Sequence, residues 1–145
     1  MVTTETKLAF LLRYTQMKER ILLLLERKKV YELDIYGLKS PVLSDMPKGG
    51  KSQTIADKVI KMLSVTSDID NEIEELTNKM QYIRDVIHKQ TNYRHVSYLE
   101  LKYIDGLQRK QIAGILNISL IAVDKCCKRA VEALEITEAD IDKIL

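Results

Sequence analysis

From Phe10 onward, apolar side chains recur at alternating steps of four and three: Phe10, Tyr14, Met17, Ile21, Leu24, Tyr31, Ile35 and Leu38, with Lys28 the one polar member of the series. This spacing keeps one stripe of a helix apolar over about four heptads, the pattern of a helix packed lengthwise on another helix. It predicts a helix over roughly Glu5 to Tyr36, about 48 Å long at the usual rise per residue. A second seam runs through Ile55, Val59, Met62, Ile69, Ile73, Leu76, Met80, Ile83 and Ile87, with Thr66 its polar member. It predicts a helix from about Ile55 to Lys89, roughly 52 Å long, with Thr54 and Asp57 marking a capped start.

Between the seams, the stretch GLKSPVLSDMPKGGK (Gly37 to Lys51) holds both prolines and three of the five glycines of the chain, and so breaks the helix. Two long helices of matched length joined by a loop over about residues 37–53 predict an antiparallel, coiled-coil-like hairpin occupying residues 1–90. Such a hairpin has little core of its own. It is expected to dock on the last third of the chain or, the stronger need, to dimerise, with the seams pairing within or between chains.

Beyond residue 90 the periodic runs shorten and are punctuated at Thr91-Asn92, Asp105-Gly106 and Asn117-Ile118-Ser119. Four helices are predicted, near Tyr93–Ile104, Gln108–Leu116, Leu120–Glu135 and Glu138–Leu145. The fold class expected is therefore all-α. At 145 residues and 16.7 kDa, with 46% hydrophobic and 30% charged residues and no Trp, the composition is that of a folded, helix-rich chain with one ordinary domain or a small domain plus a helical extension.

The whole-chain formal charge of +2 announces neither a polybasic nor an acidic protein, so any charge signal has to be local. Residues 91–134 carry seven bases (Arg94, Lys102, Arg109, Lys110, Lys125, Lys128, Arg129) against four acids, a local +3. The remainder, from Glu135, carries four acids and one lysine. No apolar run approaches the ~18 residues of a membrane span, and the start of the chain does not read as a signal peptide. Adjacent Cys126 and Cys127 diverge on a helix and cannot bridge one another, which with that start of the chain predicts a reduced, cytoplasmic chain.

The stretch Tyr98–Leu134 has the spacing of a helix-turn-helix. Ile112, Ala113 and Leu116 are expected to face inward from the first helix and Ile118 to plug the turn. Ser119 is expected to cap the second helix, with Val123, Cys127, Ala130 and Leu134 on its buried face. The run from Leu99 through KYIDGLQRKQIAGILNIS to RAVEAL resembles region four of bacterial sigma factors. With the preceding hairpin and its Ser-Pro and Pro-Lys-Gly-Gly loop, the chain resembles phage and prophage transcriptional regulators of the RinA/ArpU kind. The resemblance implies a sigma-like helix-turn-helix DNA-binding domain over 91–145 and activation of late genes beside host RNA polymerase; the two seams then read as a dimerising arm, and the acidic charge of the last helix as a contact for protein.

The residues such a domain would set against double-stranded DNA are Lys102, Gln108, Arg109, Lys110, Ser119, Leu120, Ile121, Asp124, Lys125, Lys128 and Arg129. At the front of the recognition helix, Leu120, Ile121 and Asp124 cannot make the bidentate hydrogen bonds that discriminate guanine or adenine, and Lys125 is the one base-type donor. Two consequences stay open: affinity carried by phosphate contacts, or a helix that docks on a protein through Leu120 and Ile121. A phage packaging subunit and an adaptor that binds polymerase without DNA are the alternative functions.

Other motifs carry less. Lys48–Ser52 (KGGKS) lacks the upstream glycine of a phosphate loop, and a helix rather than a strand precedes it. The cysteines lack spaced partners, His88 and His95 are isolated in sequence, and no catalytic triad or paired-carboxylate spacing stands out. No enzyme activity, cofactor or metal is expected.

Overall fold

A computed structural model describes residues 2–36 and 55–145. The described residues form six α-helices and no strand: α1 (Thr4–Tyr36), α2 (Ile55–His88), α3 (Tyr93–Leu99), α4 (Arg109–Leu116), α5 (Leu120–Ala133) and α6 (Glu138–Ile144). The all-α fold expected from periodicity is the fold observed. The loop expected over 37–53, the Thr54 cap, the KGGKS motif and the seam side chains of Ile35, Leu38 and Ile55 lie outside the described residues.

Among the described residues, α1, α3, α5 and α6 begin where the sequence supplies a side-chain cap. The Thr3 hydroxyl accepts from Thr6 N–H at 3.2 Å ahead of α1, and Asn92 Oδ1 accepts from the amides of Arg94 and His95 at 2.9 and 3.3 Å ahead of α3. These bonds satisfy amides that have no partner inside the helix. The helix expected over Tyr93–Ile104 is continuous only in part: α3 passes at Glu100 into a five-residue π-helical segment, Glu100–Ile104, closed by Asp105 N–H on Glu100 O at 2.9 Å. The wider turn leaves Tyr103 buried, and Gly106, at φ +70°, then reverses the chain in a conformation that a Cβ would strain.

The chain divides into two compact units, one of residues 1–19 and 77–145 and the other of residues 20–76. The division falls inside the two long helices. Its physical cause is the burial of α1 and α2 residues in the larger unit: Phe10, Leu11 and Tyr14 from α1, and Ile83, Val86 and Ile87 from α2, are as buried as Leu99, Ile112 and Val131 of the shorter helices. Within this unit Arg84 donates from Nε to the Tyr14 hydroxyl at 2.9 Å and lies over its ring at 5.5 Å from the centroid. Lys7 Nζ donates to Glu132 O at 2.9 Å, which ties the start of α1 to the end of α5.

In the smaller unit, Arg20 pairs with Glu72 and Lys28 with Asp70, both at 2.8 Å. Residue number rises along α1 as it falls along α2, so these stretches run antiparallel. Lys28, the polar member of the first seam, is satisfied by its carboxylate. Among the described residues of this unit only Leu24 and Ile69 are buried, and the other described seam residues are half covered.

Candidate nucleic-acid interface

The segment with the helix-turn-helix spacing folds as α4, a three-residue turn and α5, with α4 packed on α5 and α3 packed on α5 from another side. Asn117 ends α4 in the left-handed conformation, φ 56° and ψ 48°, which asparagine tolerates better than most side chains. Ile118 N–H closes the turn on Ala113 O at 3.1 Å. Ser119 then caps α5, its Oγ accepting from Ala122 N–H at 3.1 Å. Ahead of α4, Gln108 N–H donates to Gln111 Oε1 at 2.9 Å.

The buried side of this pair follows the sequence pattern with one displacement. Ile112, Val123, Ala130 and Leu134 are buried, and Ala113, Leu116 and Ile118 are half covered. Cys127, expected in the core, is half covered, and Cys126 is the buried thiol. Because α3 covers α5 as well as α4 does, the buried arc of α5 widens to take in Cys126 and Val131. Burial pushes the Cys126 thiol up from its ordinary value, against the attraction of Arg94 and Arg129 nearby. Tyr98 and Tyr103 are also buried, and desolvation holds both hydroxyls protonated, that of Tyr103 pushed up to about 12.

On the opposite side of α5, Ile121, Lys125 and Lys128 recur at i, i+4 and i+7 and share one exposed face, with Arg129 beside them. Ile121 is 67% exposed and Leu120 lies at the margin of exposure. Lys110 on α4, Gln108 at its N-cap and Lys102 on the π-helical segment are exposed as well. Ser119 belongs to this set as the group that starts α5.

Arg109 and Asp124 stand apart. The guanidinium donates to both carboxylate oxygens, Nε to Oδ1 at 2.7 Å and Nη2 to Oδ2 at 2.6 Å, bridging α4 to α5. Side chains 52% and 55% exposed make this pair worth at most about 1 kcal/mol, but it occupies the fork of Arg109 with an internal anion. The i-to-i+15 separation hid the pairing from periodicity. Arg94, not singled out as a contact in the sequence, lies close enough to Cys126 to act on its thiol, as Arg129 does, so these two bases flank the same residue.

One acid of the last helix is used within the chain. Thr137 and Asp140 form a reciprocal cap at the start of α6, Thr137 N–H donating to Asp140 Oδ2 at 2.9 Å and Asp140 N–H to Thr137 Oγ1 at 3.2 Å. The buried Asp140 also accepts from the Tyr82 hydroxyl, and Lys143 Nζ lies 4.9 Å from the Tyr82 ring centroid. Of the four acids after residue 134, Glu135, Glu138 and Asp142 are exposed.

A family model described as "Protein of unknown function (DUF1492)" matches residues 38–135. The chain belongs to the DUF1492 family. The matched span takes in α2, α3, α4 and α5, so the helix, turn and helix and the side chains of Lys102, Arg109, Lys110, Lys125, Lys128 and Arg129 lie inside the DUF1492 region, while α1 and α6 lie outside it. No curated protein and no solved structure matches this DUF1492 chain. Among the described residues, no helix is long and apolar enough to cross a membrane.

Proposed function

We propose that this DUF1492 protein is a DNA-binding transcriptional regulator of phage type, acting on double-stranded DNA in the host cytoplasm beside host RNA polymerase. The observation that carries the reading is the exposed face of α5, where Lys125, Lys128 and Arg129 stand clear of the core on a helix started by Ser119 and packed on α4. Cations so placed release counterions from a duplex and give salt-sensitive affinity. The sigma-like pattern of the same segment, and the resemblance of the chain to regulators of the RinA/ArpU kind, support activation of late genes over other uses of the fold. A homodimer would set two such faces against neighbouring turns of one duplex.

Affinity in this reading is mostly phosphate contact. With Arg109 held by Asp124 and Ile121 at the front of α5, direct hydrogen-bonded base readout falls to Lys125 and Gln108. The deciding experiment is binding of the full chain to labelled duplexes from its own genomic neighbourhood and to random duplexes, at several salt concentrations. Selective, salt-dependent binding supports the regulator. The Lys128→Ala/Arg129→Ala variant is expected to bind more weakly, with a slope of log affinity against log salt shallower by about 2. Absence of binding at low salt overturns the proposal.

A second reading rests on a separate observation. Ile121 at the front of α5 is 67% exposed and Leu120 beside it is 36% exposed, apolar side chains uncommon on a surface that meets only phosphate. An adaptor that docks this face on a protein would keep its binding in the Lys128→Ala/Arg129→Ala variant and lose it in Ile121→Glu.

A further inference from the structure

The smaller unit carries an apolar stripe where the α1–α2 packing does not need one. Leu22, Leu25 and Leu33 are 60%, 48% and 57% exposed, although each is large enough to serve as core. At 100° per residue Leu22 and Leu33 fall within about 20° of each other, on the far side of α1 from Leu24 and Lys28, which turn to α2. Glu26 and Lys29, both exposed, lie on the same stripe between them, and Leu25 and Val30 flank it. The sequence Leu22, Glu26, Lys29, Leu33 steps by four, three and four, so α1 has a second seam on its back. Among the described residues of the unit that bears it only Leu24 and Ile69 are buried, so a further contact along this stripe would enclose apolar surface that the α1–α2 packing leaves open.

From this geometry we infer that the back of α1 is the surface on which a second copy of this chain docks, antiparallel, about a two-fold axis between Arg27 and Lys28. The palindromic order of the stripe selects the occupant. Reversing it about that point sets Leu22 on the partner's Leu33, Glu26 on the partner's Lys29, and Leu25 on the partner's Val30, each contact occurring twice, as an isologous interface requires. Two leucine layers then enclose two opposite-charge layers. The parallel arrangement would place glutamate on glutamate and lysine on lysine, and is disfavoured by that repulsion. The stripe is therefore complementary to its own reverse, in charge and in side-chain size. This differs from pairing through the α1–α2 seams, which are occupied within the chain, and it stands independently of any role in DNA binding.

The test is the mass of the full chain by light scattering and sedimentation, without nucleic acid, over a concentration series. A species of twice the 16.7 kDa chain mass is expected at about 10–100 µM, the range of a modest non-obligate contact. Leu22→Glu/Leu33→Glu is expected to run at chain mass with unchanged helicity by circular dichroism, because both side chains are already more than half exposed. Glu26→Lys and Lys29→Glu alone are each expected to weaken the dimer about tenfold, and the exchanged pair Glu26→Lys/Lys29→Glu to restore it. A wild-type chain that stays at chain mass overturns the inference. So does a dimer that survives Leu22→Glu/Leu33→Glu, or one that both single charge variants leave intact. Loss of the dimer with DNA binding retained would separate this inference from the regulator reading.

Discussion

Asp140 of α6 accepts a hydrogen bond from the hydroxyl of Tyr82, 58 residues earlier in α2, while its other interactions cap its own helix. One carboxylate thus starts α6 and anchors it to the larger unit. Burial works against its ionisation, but the Thr137 amide and the Tyr82 and Thr137 hydroxyls outweigh that cost and hold the Asp140 carboxyl below the usual carboxylate range. The partner hydroxyl moves the other way: bonding to Asp140 and burial push Tyr82 above its ordinary value.

Asp140→Asn is expected to lower stability by about 1–3 kcal/mol at neutral pH, read as a fall in Tm or in the urea midpoint. Because the folded-state value is depressed, the contribution of Asp140 is complete above the ordinary carboxylate range and is lost as pH falls through the folded value. The gap in Tm between wild type and Asp140→Asn should therefore narrow in acid. A gap equally wide at pH values well below the carboxylate range would contradict this account.

Asp124 presents the reverse situation on the proposed DNA face, since its carboxylate restrains a base. Asp124→Asn would remove one negative charge and release the fork of Arg109. Affinity for duplex DNA should rise severalfold, with a salt slope steeper by about 1, while stability changes by less than about 1 kcal/mol. Unchanged affinity would show that Arg109 and Asp124 lie off the DNA path.

Ser119 tests the turn. Ser119→Ala removes the acceptor for Ala122 N–H and is expected to cost about 1 kcal/mol, whereas Ser119→Asp should keep the cap. Chemical denaturation of the three proteins at matched pH distinguishes them. Equal midpoints for serine and alanine would mean that water caps α5 equally well.

The thiols give a probe of the core that is independent of function. Cys126 is buried and its thiol is pushed up by burial, so it should resist alkylation in the folded protein. Cys127 is partly exposed and should react first. Mass spectrometry after a limited iodoacetamide pulse resolves the order, and modification of Cys126 ahead of Cys127 would place α5 in a different rotation.

Much of this arrangement is written locally. Period-3.6 patterning of Phe10, Tyr14, Met17 and Leu24 and of Ile69, Ile83 and Ile87 marks two long helices and their inner faces, because burial of one stripe is what holds a long helix. Asn92, Ser119 and Thr137 mark helix starts because a side-chain oxygen placed just ahead of a helix satisfies amides within three residues. The π-helical segment at Glu100–Ile104 escapes such reasoning, since its i-to-i−5 bonds serve the burial of Tyr103 and not a preference of the residues in it.

The chain's own order of side chains determined the all-α class, the six helices and the basic character of the α5 face, all consequences of spacing along one helix or capping at its end. Only the tertiary structure decided that Arg109 is neutralised by Asp124, that Asp140 serves Tyr82, that Cys126 rather than Cys127 is buried, and that the compact units divide inside α1 and α2. Each of these depends on which helix lies against which. Periodicity says which face of a helix is covered, and packing alone selects the neighbour that covers it.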